Sequence, residues 1–230
     1  MLLDVYNRLY SRFGPQHWWP GDTPFEVIVG AILTQSVSWK NVAKAIDSLE
    51  QAGLLDPRSM HDIGEGAIAL LVRPAGYYQQ KARKLKSFLA YLWDRHGGDL
   101  DRMFSTPPDE LRRQLLGVWG LGPETVDSIM LYAGNIPSFV VDAYTVRILT
   151  RLGLVEQRAS YDEIRGLFMD NLPRDPQMYN EYHALFVHVG KHFCGKRKML
   201  CGNCPLTDMC RIGRAMLGDA AQPAPAAEAR

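Results

Sequence analysis

Residues 115–126 read Leu115-Leu116-Gly117-Val118-Trp119-Gly120-Leu121-Gly122-Pro123-Glu124-Thr125-Val126. An apolar helical pattern over 111–116 stops at Gly117, and another opens over 126–131. Between them Gly120 and Gly122 permit positive φ and let the backbone come close to a ligand. Pro123 suits a first helical position, where its missing N–H leaves nothing unpaired. The stretch predicts a tight helix–hairpin–helix whose second helix turns free amides toward an anion. An ordinary helix–helix turn would use the same residues.

Helical periodicity continues outward from this hairpin. Leu85, Phe88, Leu89 and Leu92 recur at i, i+3, i+4 and i+7, with Lys81, Arg83, Lys84 and Lys86 on the other faces. Similar periods run over 25–33, 42–49, 146–154 and 182–189, and Gly and Pro punctuate them. Nothing alternates for long with period two, and Phe139-Val140-Val141 reads as a short extended link. An all-α protein of about ten helices is expected, with an Ala- and Pro-rich disordered tail over 218–230.

The 230-residue chain carries 26 Lys+Arg against 25 Asp+Glu, a formal net charge of +1, and is 47% hydrophobic. Wholesale disorder is excluded, as is a uniformly basic, histone-like DNA binder, while a local basic face is not. No apolar run approaches the roughly 18 residues of a membrane span, and Met1-Leu2-Leu3-Asp4 is no signal peptide, so a cytoplasmic protein is expected. Cys194, Cys201, Cys204 and Cys210 form C-x6-C-x2-C-x5-C. Without an export signal that array favours a metal site over disulfides. Tetrahedral zinc and a [4Fe–4S] cluster both satisfy four thiolates, and the spacing leaves both open. Lys196, Arg197 and Lys198 lie between the first two cysteines, either as a pinned phosphate-binding loop or as a solvated charge run. Asp142, between the apolar link and the next helical period, is placed to cap that helix with an ionised carboxylate. Arg147 and Arg151 then share a face that suits phosphate or a salt bridge.

Together the hairpin Leu121-Gly122 with Gly120 and Thr125, Val141-Asp142 about twenty residues on, and the cysteine array resemble the helix-hairpin-helix DNA glycosylases of the endonuclease III type. The likeness spans roughly residues 20–212. It implies a two-lobed helical fold with DNA held between the lobes. One lobe would be 22–135, with the helix-hairpin-helix at about 110–133. The other would be 1–21 plus 136–217, with a [4Fe–4S] cluster on Cys194, Cys201, Cys204 and Cys210. It also implies Asp142 as the catalytic acid and Gln35 filling the gap left by an extruded nucleotide. Gly120, Leu121, Gly122, Thr125, Lys196, Arg197 and Lys198 would be contacts to damaged double-stranded DNA, engaged by a monomer.

Bifunctional members of that family carry a lysine two residues after the hairpin's second glycine, where its amine attacks the sugar. Glu124 stands there, and a carboxylate cannot form the imine. A monofunctional, water-using enzyme is therefore expected. Trp18-Trp19-Pro20, Trp39 and Val141-Asp142-Ala143-Tyr144 further resemble the 3-methyladenine DNA glycosylase III branch. That implies a base pocket of Trp18, Trp19, Pro20, Trp39 and Tyr144, although the tryptophans also suit core packing. A single carboxylate beside an electron-rich aromatic box fits an electron-poor alkylated base that leaves with little help. Removal of oxidised pyrimidines with strand nicking, a mismatch glycosylase, and a non-catalytic DNA-binding iron–sulfur module are the competing readings.

Overall fold

Prolines and short polar side chains set most helix starts. Thr23 accepts the Glu26 amide ahead of Pro24, Asp56 accepts the Ser59 amide ahead of Pro57, and Ser160 and Glu163 form a reciprocal capping box. Such caps each contribute about 1 kcal/mol. The computed structural model describes residues 1–218, and the described α-helices are thirteen. They are α1 (Leu2–Phe13), α2 (Pro24–Leu33), α3 (Trp39–Gln51), α4 (Pro57–Asp62), α5 (Glu65–Leu71), α6 (Tyr78–His96) and α7 (Leu100–Phe104). There follow α8 (Pro108–Leu116), α9 (Pro123–Ser128), α10 (Ala143–Leu152), α11 (Tyr161–Asn171), α12 (Pro176–His192) and α13 (Arg211–Leu217). The count exceeds the expected ten because α4, α5, α7, α9 and α13 span two turns or less, too short to show a period. No strand occurs among the described residues, and none of their helices is long and apolar enough to cross a membrane. The tail expected from 218 on lies, beyond Gly218, outside the described residues.

The chain divides into two compact units. The middle one is Trp18–Val140 with Arg174–Asn180. Its centre is α2, whose Phe25 and Val27 through Leu33 are all buried and pack with Leu85, Phe88, Leu89 and Leu92 of α6. A helix apolar on every side belongs inside. The C-terminal end of α2 is tied down by Lys81, whose ammonium donates to the Leu33 and Ala75 carbonyls at 2.7 and 2.6 Å. Lys81 was expected on a polar face; it is 2% exposed, because its charge satisfies carbonyls that would otherwise be orphaned.

The other unit comprises Met1–His17, Val141–Pro173 and Glu181 onward. Its core is aromatic: Tyr182 meets Phe168, Phe186 and Tyr6 at ring separations of 5.2, 4.8 and 5.4 Å. The Tyr182 hydroxyl donates to the Leu2 carbonyl, and Arg8 of α1 pairs with Asp208 in the cysteine segment. The divisions fall at 17/18 and 140/141 rather than at the expected 21/22 and 135/136. Two contacts explain the shift. Trp19 packs against Trp39 and Tyr132 of the middle unit, and Phe139 packs edge-on against Tyr179.

Candidate functional site

Asp142 begins α10 as its N-cap, in extended backbone. One oxygen, Oδ1, accepts three hydrogen bonds, from the Tyr144 and Thr145 amides at 2.9 and 2.7 Å and from the Thr145 hydroxyl at 2.9 Å. The other, Oδ2, lies 3.7 Å from His183 Nε2 of α12, too long for a hydrogen bond. Burial by itself would push this carboxyl up. The His183 side chain, followed by the Thr145 amide and hydroxyl, outweighs burial and holds it below the ordinary carboxylate range. The result is an ionised carboxylate whose Oδ1 holds three hydrogen bonds and whose Oδ2 has only the longer approach of His183.

Tyr144, expected in a base pocket, lies against Gly190 of α12. A Cβ built on Gly190 would sit 2.2 Å from the Tyr144 ring, so only glycine admits this contact. Arg147 covers the same ring, its guanidinium 5.0 Å from the ring centre. Neither Arg147 nor Arg151 reaches out for phosphate as its helical face suggested. Arg147 donates to the Cys194 and Gly190 carbonyls, and Arg151 to the Gly195 carbonyl and Cys194 Sγ.

These two arginines anchor the cysteine segment. Its first turn is closed by a bridge between Cys194 and Met199, which leaves Lys196, Arg197 and Lys198 exposed. Thr207 donates to the Cys201 and Cys204 carbonyls farther on. Burial, with the neighbouring Cys194, Cys210 and Cys201 adding to it, pushes the Cys204 thiol up. Two of them also receive N–H donors: Cys194 from Arg151 at 3.0 Å and Cys210 from the Gly213 amide at 3.4 Å. Among the described residues, no three His, Cys, Asp or Glu side chains converge to single-ion geometry. Four cysteines, two of them with N–H donors to sulfur, are a donor set that an iron–sulfur cluster fits.

In the middle unit the hairpin forms where the sequence placed it. Gly120 has φ +85°, and a Cβ there would lie 2.5 Å from Lys84 Cγ. The expected contacts separate by face. Gly122 and Glu124 are exposed, whereas Leu121 and Thr125 are buried at 6% exposure each, since their apolar atoms complete the core. Only backbone atoms of those two remain as possible contacts. Gln35 does not stand free. Its amide nitrogen donates to the Gly120 carbonyl at 3.2 Å and Thr125 Oγ1 at 2.9 Å, and its oxygen accepts Lys84 Nζ. Gln35, Lys84 and the hairpin thus form one hydrogen-bonded unit.

Trp19 and Trp39 meet edge-on at 5.2 Å, and Trp18 stands edge-on to Trp19 at 6.0 Å. Both rings pass over Gly30, where a Cβ would meet each at 3.5 Å, an ordinary van der Waals contact. Tyr132 stacks on Trp19 at 5.0 Å, presented by a π-helical turn, Ile129–Ala133, that continues α9. The sequence reading missed Tyr132, because a π-turn shifts side chains off the 3.6 period. Trp19 Nε1 is buried with no acceptor among the described residues, an arrangement that costs about 1–3 kcal/mol. Pro20 is exposed beside it.

A family model described as HhH-GPD superfamily base excision DNA repair protein matches residues 29–174. A Methanocaldococcus jannaschii protein, provisionally named a DNA repair glycosylase, is 45% identical over 212 residues, covering 91% of this chain and 96% of that protein. A trapped endonuclease III–DNA covalent intermediate superposes with a TM-score of 0.80 at 22% identity, over 95% of this chain and 99% of that one. Helicobacter pylori 3-methyladenine DNA glycosylase (MagIII) bound to 1,N6-ethenoadenine superposes with a TM-score of 0.71 at 25% identity, over 83% and 97% of the two chains.

Proposed function

This chain belongs to the HhH-GPD superfamily of base excision DNA repair proteins, and on that premise we propose that it is a monofunctional DNA glycosylase for alkylated bases of the 3-methyladenine type. The Asp142 cap carries the reading, because it keeps a nearly buried carboxylate ionised with Oδ2 outside the capping bonds. Extruding the nucleotide costs a few kcal/mol, which backbone contacts at the hairpin and at Lys196, Arg197 and Lys198 offset by fixing the duplex. As the N-glycosidic bond breaks, its electrons leave with the base and positive charge grows on the sugar. Asp142 stabilises that charge, and Oδ2 takes a proton from the water whose oxygen bonds to C1′. No enzyme amine is required, consistent with Glu124 at the position of the family's lysine.

The aromatic group supports the choice of base. An electron-poor methylated purine gains about 1–2 kcal/mol per desolvated ring contact, and the Trp19 indole N–H has a donor to spare. The likeness to the Helicobacter enzyme supports the same substrate class. Cys194, Cys201, Cys204 and Cys210 would hold a [4Fe–4S] cluster that supplies no step of the reaction and keeps the basic loop rigid. A monomer acting on DNA in the cytoplasm follows from this reading.

The test is a panel of duplexes bearing 3-methyladenine, an oxidised pyrimidine or a mismatched thymine, assayed for free base and for strand cleavage with and without alkali. Release of the alkylated base, strand cleavage only after alkali, and no borohydride-trapped adduct are expected; Asp142→Asn should abolish release. Preference for the pyrimidine, or a covalent adduct, overturns the proposal. In the latter case Lys84 is the first amine to test, since burial lowers its pKa and it lies against Gly120.

A further inference from the structure

Asp142 Oδ1 is saturated by three donors, so any chemistry must use Oδ2, and a carboxylate acting through one oxygen needs that oxygen correctly directed. The capping bonds hold Oδ1 in place but leave the carboxylate free to rock about it. Across from Oδ2 stands one side chain, His183, 5% exposed, in the middle of α12 between the buried Tyr182 and Ala184. The sequence assigned this histidine no role. At 5% exposure it has little room to swing, and an imidazole has few rotamers to lose. A donor fixed this firmly orients its partner at small entropic cost.

We propose that His183 is the positioning residue for Asp142, its Nε2 directing Oδ2 toward the sugar and the attacking water. This rests on the reading of Asp142 as the catalytic carboxylate. No proton moves to or from the imidazole in this role. The 3.7 Å separation closes to a hydrogen bond in the loaded enzyme, as catalytic contacts that are long in a free site commonly do. The direction of the Asp142 shift agrees, since His183 is the foremost influence offsetting burial. Two further titratable or charged side chains of this unit have partners of their own. Tyr161 of α11 accepts the Val141 amide at its hydroxyl, and Arg147 of α10 is spent on the Cys194 and Gly190 carbonyls.

The experiment compares His183→Leu, which removes the donor at similar volume, with His183→Gln, which keeps an uncharged donor. Single-turnover base release, affinity for lesion DNA and the pH–rate profile are measured for each. The Leu variant should lose about 30-fold or more in rate with affinity within threefold of the parent. The acid limb of its profile should move to higher pH, because Asp142 loses the neighbour that favours its charged form. The Gln variant should recover most of the rate. A Leu variant within threefold of the parent, or equal losses in both with an unmoved acid limb, overturns the proposal. Should the Leu variant not fold, His183→Asn, whose shorter donor cannot span the gap, takes its place under the same criteria. Asp142→Asn is run alongside. If it keeps full activity, the catalytic reading itself fails; if it is inactive while the donor-less variant is fully active, only the His183 assignment fails.

Discussion

Two residues, one in each unit, show how burial decides what a charge does. Asp142 is nearly buried and stays ionised because donors surround it. Lys81 is just as enclosed, and desolvation, with Lys84 adding to it, pulls its amine down to about 8 from 10.5. The folded protein thus gives up this proton at lower pH than the unfolded chain does. Between about pH 8 and 10.5 the unfolded state binds the extra proton, so stability gained from this site rises with pH. Lys81→Met has no such proton. The stability of the parent relative to this variant should therefore increase by on the order of 2–3 kcal/mol from pH 7 to pH 10.5. Urea unfolding at several pH values measures it. A gap that stays constant across that range would show that Lys81 titrates as an ordinary surface lysine.

At the scale of elements, the site depends on how closely α10 and α12 approach. Gly190 allows the Tyr144 ring to lie directly on the α12 backbone, and the amide of that same tyrosine donates to the Asp142 cap. Gly190→Ala forces the ring outward, at about 1–3 kcal/mol of overpacking strain, and pulls on the cap. Base release should fall together with stability. Tyr144→Ala in the Gly190→Ala background should recover part of the stability, a coupling that a double-mutant cycle measures; strictly additive losses would mean the two do not meet. The hairpin, the Asp142 cap and the cysteine spacing were legible in the sequence because each is a local pattern of turn chemistry or ligand spacing. Gly190, His183, Tyr132 and the buried Lys81 were not. Each acquires its role from an element distant in the chain, and a glycine or histidine within a helical period carries no mark of what lies opposite.

For the whole molecule the deciding quantity is a formal net charge of only +1. A nearly neutral protein has little long-range pull on a polyanion, and screening at physiological salt confines surface charges to about 8 Å. DNA affinity then depends on the cations that touch phosphate. The proposed ones, Lys196, Arg197 and Lys198, are exposed on a turn closed by the Cys194–Met199 bridge and gripped by Arg151. That fastening lets a short loop hold three like charges together without spreading. Replacing all three by alanine takes the net charge to −2 (1 − 3), yet the larger effect should be local. Each lost phosphate contact lowers the slope of log K against log salt by about 0.9, so the triple variant's slope should be shallower by roughly 2–3. Phosphate contacts carry no information about the base, so the ratio of affinities for damaged and intact duplex should not change. Titrations of both duplexes at several salt concentrations separate the outcomes: an unchanged slope removes the loop from the DNA interface, and a collapsed ratio would mean that the loop reads the lesion.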